Sequence, residues 1–339
     1  SREPQTTVDA VLGQAVMWLD AHAGSRPRIN RVRLFVPAGR ALTLATRLAL
    51  IDRVAAEILL YEYDENRELI SPVAAFDQGD LSDNLKRRAL WPKPSRLDPE
   101  AASLVERIAQ LAPAHIETVF REGRVKLTIR GLEFAELFVK QKRARFVSRG
   151  EHLSLSEVAW PDLEKLVRKI IRVRSADSDL RDHEFYRAQS ERWLESLLKK
   201  DITALDSGLD PRHVYSQVPA YRGEKRSYID LLAVTREGRL AVIELKVSED
   251  AELPFQGLDY WARVDWHRRR GDFERRGYFK GVELADDPPL LYLVAPLFRF
   301  HAATGLLARA ISDRVTIYRI GINSDWRSAV HVLLKERLN

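Results

Sequence analysis

Three charged side chains, Asp230, Glu244 and Lys246, stand in the otherwise apolar runs "SYIDLLAV" and "RLAVIELKV". Charge in such runs is costly to bury unless it is partnered, so these residue types call for a chemical reason. Alternation of side chains puts Tyr228, Asp230, Leu232 and Val234 on one face of the first run, and Leu240, Val242, Glu244 and Lys246 on one face of the second. Between them "TREGR" supplies Gly238 for a tight reversal. A hairpin centred on Glu237 sets Asp230 directly opposite Glu244, with facing Cβ atoms ~4.5–5.5 Å apart; a shift of half a residue leaves them diagonal. Two carboxylates so placed repel each other unless a divalent ion or a cationic side chain lies between them. With the backbone carbonyl of Leu245 as a further hard oxygen donor, the set suits Mg²⁺, with Mn²⁺ as its expected substitute. Magnesium binds few carboxylates and retains room for water and phosphate, which points to phosphodiester chemistry with Lys246 beside a metal-bound water. The plainer alternative is a structural salt-bridge cluster at a sheet end, which binds no metal and cleaves nothing.

These residues need elements to hold them. Downstream, "PFQGLDYWARVDWHRRR" predicts a helix on which Gln256 and Tyr260, four apart, are neighbours. Continuing by threes and fours adds Arg263, His267 and Arg270, a cationic stripe suited to a nucleic-acid backbone, or else an ordinary solvated face. Upstream, "SERWLESLL" predicts a helix with Trp193, Leu194, Leu197 and Leu198 to one side.

In this order the residues resemble the PD-(D/E)xK nuclease superfamily: Asp230 in "YID", where the family pattern has "PD", then Glu244-x-Lys246 in "ELK". Gln256 and Tyr260 in "QGLDY" match the QxxxY element of its RecB-type members, and "SERWLESLL" resembles the first helix, whose acid is Glu191 by first choice and Glu195 by second. The resemblance covers the C-terminal half only. It implies a restriction-endonuclease-like mixed sheet flanked by helices and a Mg²⁺-dependent nuclease acting on DNA rather than RNA, in repair, recombination or defence. It further implies that Asp230, Glu244, the Leu245 carbonyl and Glu191 hold the metal, and that Lys246, Gln256 and Tyr260 complete the catalytic set. The alternative is an inactive nuclease-fold module for nucleic-acid binding or assembly. Such a module has no electrostatic reason to keep like charges buried together.

The rest of the chain frames this reading. At 339 residues two domains are expected, and alternating strand and helix patterns predict an α/β class for both. The polar run "RSADSDLRDHE" places the boundary, with an N-terminal α/β domain over 1–175, for substrate handling or assembly, and the nuclease-like domain over 181–339. A net charge of +6 permits a nucleic-acid partner, and a homodimer or a protein partner is equally compatible. The absence of cysteine excludes disulfides, thiolate nucleophiles and Cys-based metal sites, and suits a cytoplasmic setting. No leader pattern or membrane-spanning run is expected. "DQGDLSDN", with Asp77, Asp80 and Asp83, lacks the calcium-loop pattern, and "KRRALWPKPSR" and "KQKRARFVSR" are candidate phosphate-contacting patches or plain solvent faces. No glycine loop ending in Gly-Lys-Ser/Thr and no G-x-S-x-G elbow is present, so ATPase and serine-hydrolase chemistry is not expected.

Overall fold

The strands that hold Asp230 and Glu244 lie in a six-stranded mixed sheet built from β9 (Tyr215–Arg222), β10 (Lys225–Val234), β11 (Leu240–Leu245), β12 (Leu290–Pro296), β13 (Thr316–Ile322) and β14 (Val332–Arg337). The computed structural model describes residues 4–24, 26–74, 97–121, 123–140, 143–148, 151–156, 158–222 and 225–339. The spatial order is β14-β13-β12-β11-β10-β9. Strands β9, β10 and β11 pair antiparallel, whereas β11, β12 and β13 pair parallel. Parallel neighbours need crossovers, which α7 (Leu253–Arg269) and α9 (Thr304–Ala310) provide. Every residue of "LAVIEL" and "LLYLVAP" is buried, as central strands covered on both faces must be. One face packs Leu232, Val242 and Leu293 against Phe255, Leu258 and Trp261 of α7. The other packs Ile243, Leu245 and Tyr292 against Trp193, Leu194 and Leu198 of α6 (Ser190–Lys200).

The N-terminal segment forms α1 (Gln5–Ala21), β1 (Arg31–Pro37), α2 (Leu42–Leu48), β2 (Glu57–Asp64) and β3 (Leu69–Val73), with the three strands in one small sheet. Its apolar side chains do not form a core of their own. Val8, Leu12, Leu44 and Leu60 belong to the same cluster as Leu258, Trp261, Leu307 and Ile317, so residues from both sides of the expected boundary at 175 share one core. A buried cation ties the layers. Arg47 of α2, 1% exposed, donates to both carboxylate oxygens of Asp259 (3.1 and 3.0 Å), to Glu252 (3.0 Å) and to the Asp9 carbonyl (2.7 Å). Burial opposes its charge, but Asp259, Glu252 and Asp9 outweigh that penalty and hold its pKa above the usual arginine value.

Between these parts lie α3 (Pro99–Ala109), a five-stranded antiparallel meander of β4 (Ile116–Arg121), β5 (Arg124–Ile129), β6 (Leu132–Phe138), β7 (Arg143–Ser148) and β8 (Glu151–Ser154), and α4 (Trp160–Val173). Leu127, Ile129, Phe134 and Phe146 of the sheet pack with Leu163, Val167 and Ile170 of α4 in a separate core. Within "KQKRARFVSR", Arg145 pairs with the buried Glu136 at 2.8 Å, so this part of the run is bound into the sheet. Asp77, Asp80, Asp83 and the "KRRALWPKPSR" run lie outside the described residues. The β14 segment "VLLKER" carries three charges in six residues and pairs on one side only, so no apolar face announces it.

Candidate active site

Strands β10 and β11 pair at Leu231–Ile243, Leu232–Val242, Ala233–Ala241 and Val234–Leu240. Asp230 and Glu244 are the next residues beyond the Leu231–Ile243 pair, away from the turn. The turn demands glycine at 238: φ is +86°, and a Cβ there would lie 2.1 Å from the Glu283 carbonyl oxygen. On its other side β10 pairs with β9 at Ile229–Val218 and Leu231–Ser216. Between those pairs, opposite Asp230, Gln217 holds a left-handed φ of 55°. A non-glycine residue pays for that conformation, and here it aims a side-chain amide at two acids.

Gln217 Nε2 donates to Glu195 Oε2 at 2.6 Å and to Asp230 Oδ1 at 3.4 Å. Asp230 Oδ2 accepts from the Leu245 amide at 3.0 Å, which fixes the carboxylate against the end of β11. Glu195 also accepts from Arg192 at 3.0 Å. Burial pushes the Asp230 carboxyl up to about 6; the Leu245 amide, Lys246 and Arg192 pull it down, and Glu191 pushes it up again. Burial likewise lifts Glu195 to about 7 against the opposing pull of Arg192 and Gln217, with Asp230 adding to the rise. Glu191 and Glu195, one turn apart on α6, thus both act on this end of the sheet, Glu191 through the space it shares with Asp230 and Lys246, Glu195 through a hydrogen-bonded bridge.

Lys246 follows directly on β11. Its backbone amide continues the ladder to the Val294 carbonyl at 2.9 Å. Its ammonium lies 3.6 Å from Glu244 Oε1 and 3.7 Å from Asp250 Oδ2. Burial disfavours that charge, but Glu244, Glu191, Asp250 and Asp230 outweigh the penalty and raise the pKa. Lys246 is therefore a cation at neutral pH. Gln256, near the start of α7, donates to Asp250 Oδ2 at 3.1 Å, so Lys246, Asp250 and Gln256 form a continuous chain. Tyr260, one turn later, is buried among the apolar side chains that α7 shares with the sheet.

The cationic stripe expected along α7 is corrected by burial. Arg263 is buried and donates to the Asp259 carbonyl at 3.1 Å; His267 is 2% exposed, with Nδ1 2.8 Å from Asp272. Only Arg270 of the three reaches solvent, stacked on Trp266 with its guanidinium carbon 4.6 Å from the ring centre. The reason is that α7 has little free surface: α1, α2 and α9 contribute to the cluster that covers it opposite the sheet. Gln217, Asp250 and Arg192 are site residues that spacing did not single out. A signal existed for Asp250 alone, an acid four residues after Lys246 and six before Gln256.

The donors at this end of the sheet are hard oxygens, and the raised pKa values of Asp230 and Glu195 mean that a cation would relieve their mutual repulsion and their burial. Among the described residues no group of three or more acidic or histidine side chains is close enough to hold a metal by itself. Two carboxylates with water and phosphate are a normal complement for magnesium, so the donor set fits that ion. No helix among the described residues is long and apolar enough to cross a membrane. No protein-family model matches the chain, and no curated protein matches it.

Proposed function

We propose that the protein is a metal-dependent nuclease whose six-stranded sheet is a restriction-endonuclease-like core, with DNA as its substrate. The observation that carries this reading is the meeting of these charges at the open end of the β10–β11 hairpin, where Asp230 accepts from the Leu245 amide at 3.0 Å and the Lys246 ammonium lies 3.6 Å from Glu244. Asp230, Glu244 and the Leu245 carbonyl would hold Mg²⁺, with Glu191 completing the set. When bound, the ion supplies charge neutralisation of a phosphodiester and acidifies water. Lys246, protonated at neutral pH, serves as an electrostatic partner for a phosphate oxygen and orients water rather than removing its proton. Asp250, itself held by Gln256, positions the lysine ammonium, and Tyr260 anchors the helix that carries Gln256.

The test is cleavage of labelled linear, circular and single-stranded DNA in Mg²⁺ or Mn²⁺. Lys246→Ala and Asp230→Asn are expected to lose about 10²-fold or more of the rate, the scale typical of removing one electrostatic stabiliser. DNA binding without cleavage, indifferent to both changes, would overturn the reading in favour of an inactive binding module.

A further inference from the structure

A second charged cluster lies at the N-terminal end of α6 and plays no part in the site above. Trp193, fully buried, is surrounded by three guanidinium groups: those of Arg174, Arg327 and Arg130 have their carbons 4.5, 5.1 and 5.5 Å from its ring centre. They come from three separate parts of the chain. Arg130 sits in the β5–β6 turn, Arg174 follows α4, and Arg327 precedes β14. None of the three has a carboxylate within ion-pair distance among the described residues. Arg174 Nε, Arg130 Nη1 and Arg327 Nε are buried N–H groups that no acceptor meets. Arg174 is wholly buried and donates otherwise to the backbone carbonyls of Phe185, Ala188 and Arg130.

Burial, and then Arg327 and Arg130, push the Arg174 pKa down to about 9. Burial lowers Arg130 against a pull from Asp177, and it lowers Arg327, where Tyr186 opposes the shift and Arg181 adds to it. Three cations held together with no carboxylate in ion-pair distance among the described residues form an arrangement that an anion stabilises. The two outer arginines, Arg130 and Arg327, are half-buried, so the cluster is open on their side. Arg327 donates to Ser190 at 2.9 Å, and Ser190 is the neighbour of Glu191. The turn that carries Arg130 is pinned to α6 as well: Gly131, at φ +77°, lies so close that a Cβ would meet the Arg192 carbonyl oxygen at 2.2 Å.

We infer that Arg130, Arg174 and Arg327 form a receptor for a phosphate group beside the candidate active site. The planar guanidinium forks of Arg130 and Arg327 match the oxygens of a tetrahedral dianion, the buried charge of Arg174 lies behind them, and the N-terminus of α6 adds a favourable dipole. The phosphate comes either from a nucleic-acid strand or from a free phosphate. The strand source rests on the nuclease reading; the receptor itself does not.

The experiment works without cleavage. Thermal unfolding is followed in EDTA as inorganic phosphate is titrated at constant ionic strength with chloride. Binding of single-stranded oligonucleotides of one sequence, with and without a 5′-phosphate, is measured in the same buffer. The expected result is a saturable rise in Tm of about 2 °C or more, lost in Arg327→Gln and Arg130→Gln. Without phosphate, those variants are expected to unfold at or above the wild-type temperature, because a repelling charge has gone. A preference for the 5′-phosphorylated strand of about tenfold assigns the receptor to strand ends; a phosphate-dependent rise with no such preference assigns it to free phosphate. Arg327→Lys keeps the charge but not the fork, and covers the case in which the glutamine variants fail to fold; it should weaken phosphate binding about tenfold. No saturable rise, or a rise of equal size in wild type and variants, overturns the proposal. So does a fall in Tm confined to the variants with no phosphate effect, since the arginines would then be cation–π supports for Trp193 and nothing more.

Discussion

Among individual residues, the unusual acids are Asp230 and Glu195, each carrying a proton well above its ordinary range because burial disfavours the charged form. A carboxyl raised in the folded state contributes stability that is fully present below its unfolded pKa and lost as pH rises through the folded one. For Glu195 that window runs from the ordinary glutamate value of 4.5 to about 7. Glu195→Gln is therefore expected to stabilise the protein at pH 8, by on the order of 2–3 kcal/mol, and to converge with wild type near pH 4. Chemical denaturation at the two pH values measures this, and a constant difference across them would refute it. Asp230, the acid of this pair that would hold the metal, must give up its proton to accept a cation. Stabilisation by Mg²⁺ should accordingly grow between pH 5.5 and pH 8, about tenfold in apparent affinity per proton released per pH unit, and should vanish in Asp230→Asn. Thermal shift against magnesium concentration at several pH values provides the check. Lys246, Asp230 and Glu244 were legible in the sequence because charge in an apolar strand is rare. Gln217 was not, because its role arises from a left-handed backbone angle that no residue type announces.

Secondary elements were legible where their periodicity was strong. The helix expected at "SERWLESLL" is the body of α6, since Trp193, Leu194 and Leu198 give it one clear buried face. Helix α7 misled for the opposite reason. Its polar residues Asp259, Arg263, Asp265 and His267 are all buried and paired inside the fold, so a stripe drawn by spacing could not tell solvent from a partner helix. Arg47 is the clearest such partner. Its removal leaves Asp259 buried with an uncompensated charge, and Arg47→Ala is expected to cost about 3–5 kcal/mol. A double-mutant cycle with Asp259→Asn should recover part of that loss. If the two changes instead add independently in urea melts, the pairing carries no such energy. Because Glu252 and Asp259 flank Gln256, slippage of α7 would also reach the candidate site.

For the molecule as a whole, the cluster shared by residues 8–60 and 215–338 decides what folds on its own. Residues 176–339 expressed alone would uncover the outer side of α7 and α9, a contiguous apolar surface. That fragment is expected to be insoluble or to bind a hydrophobic dye. Restoring residues 5–73 in trans should suppress the dye signal; a fragment that is monomeric and dye-silent by itself would show the N-terminal layer to be dispensable. A boundary drawn from a polar run finds where the chain crosses the surface. It does not find which segments share a core, because that depends on contacts far apart in sequence.

The Arg47 tether also has a bearing on ancestry. An arginine at 47, a glutamate at 252 and an aspartate at 259 form a lock whose parts cannot drift one at a time, since losing any one strands the others in the dark of the core. Distant cousins should keep all three or exchange them together for apolar residues. That joint inheritance gives a searchable signature spanning both ends of the chain, where the short ELK motif alone is too common to trace descent.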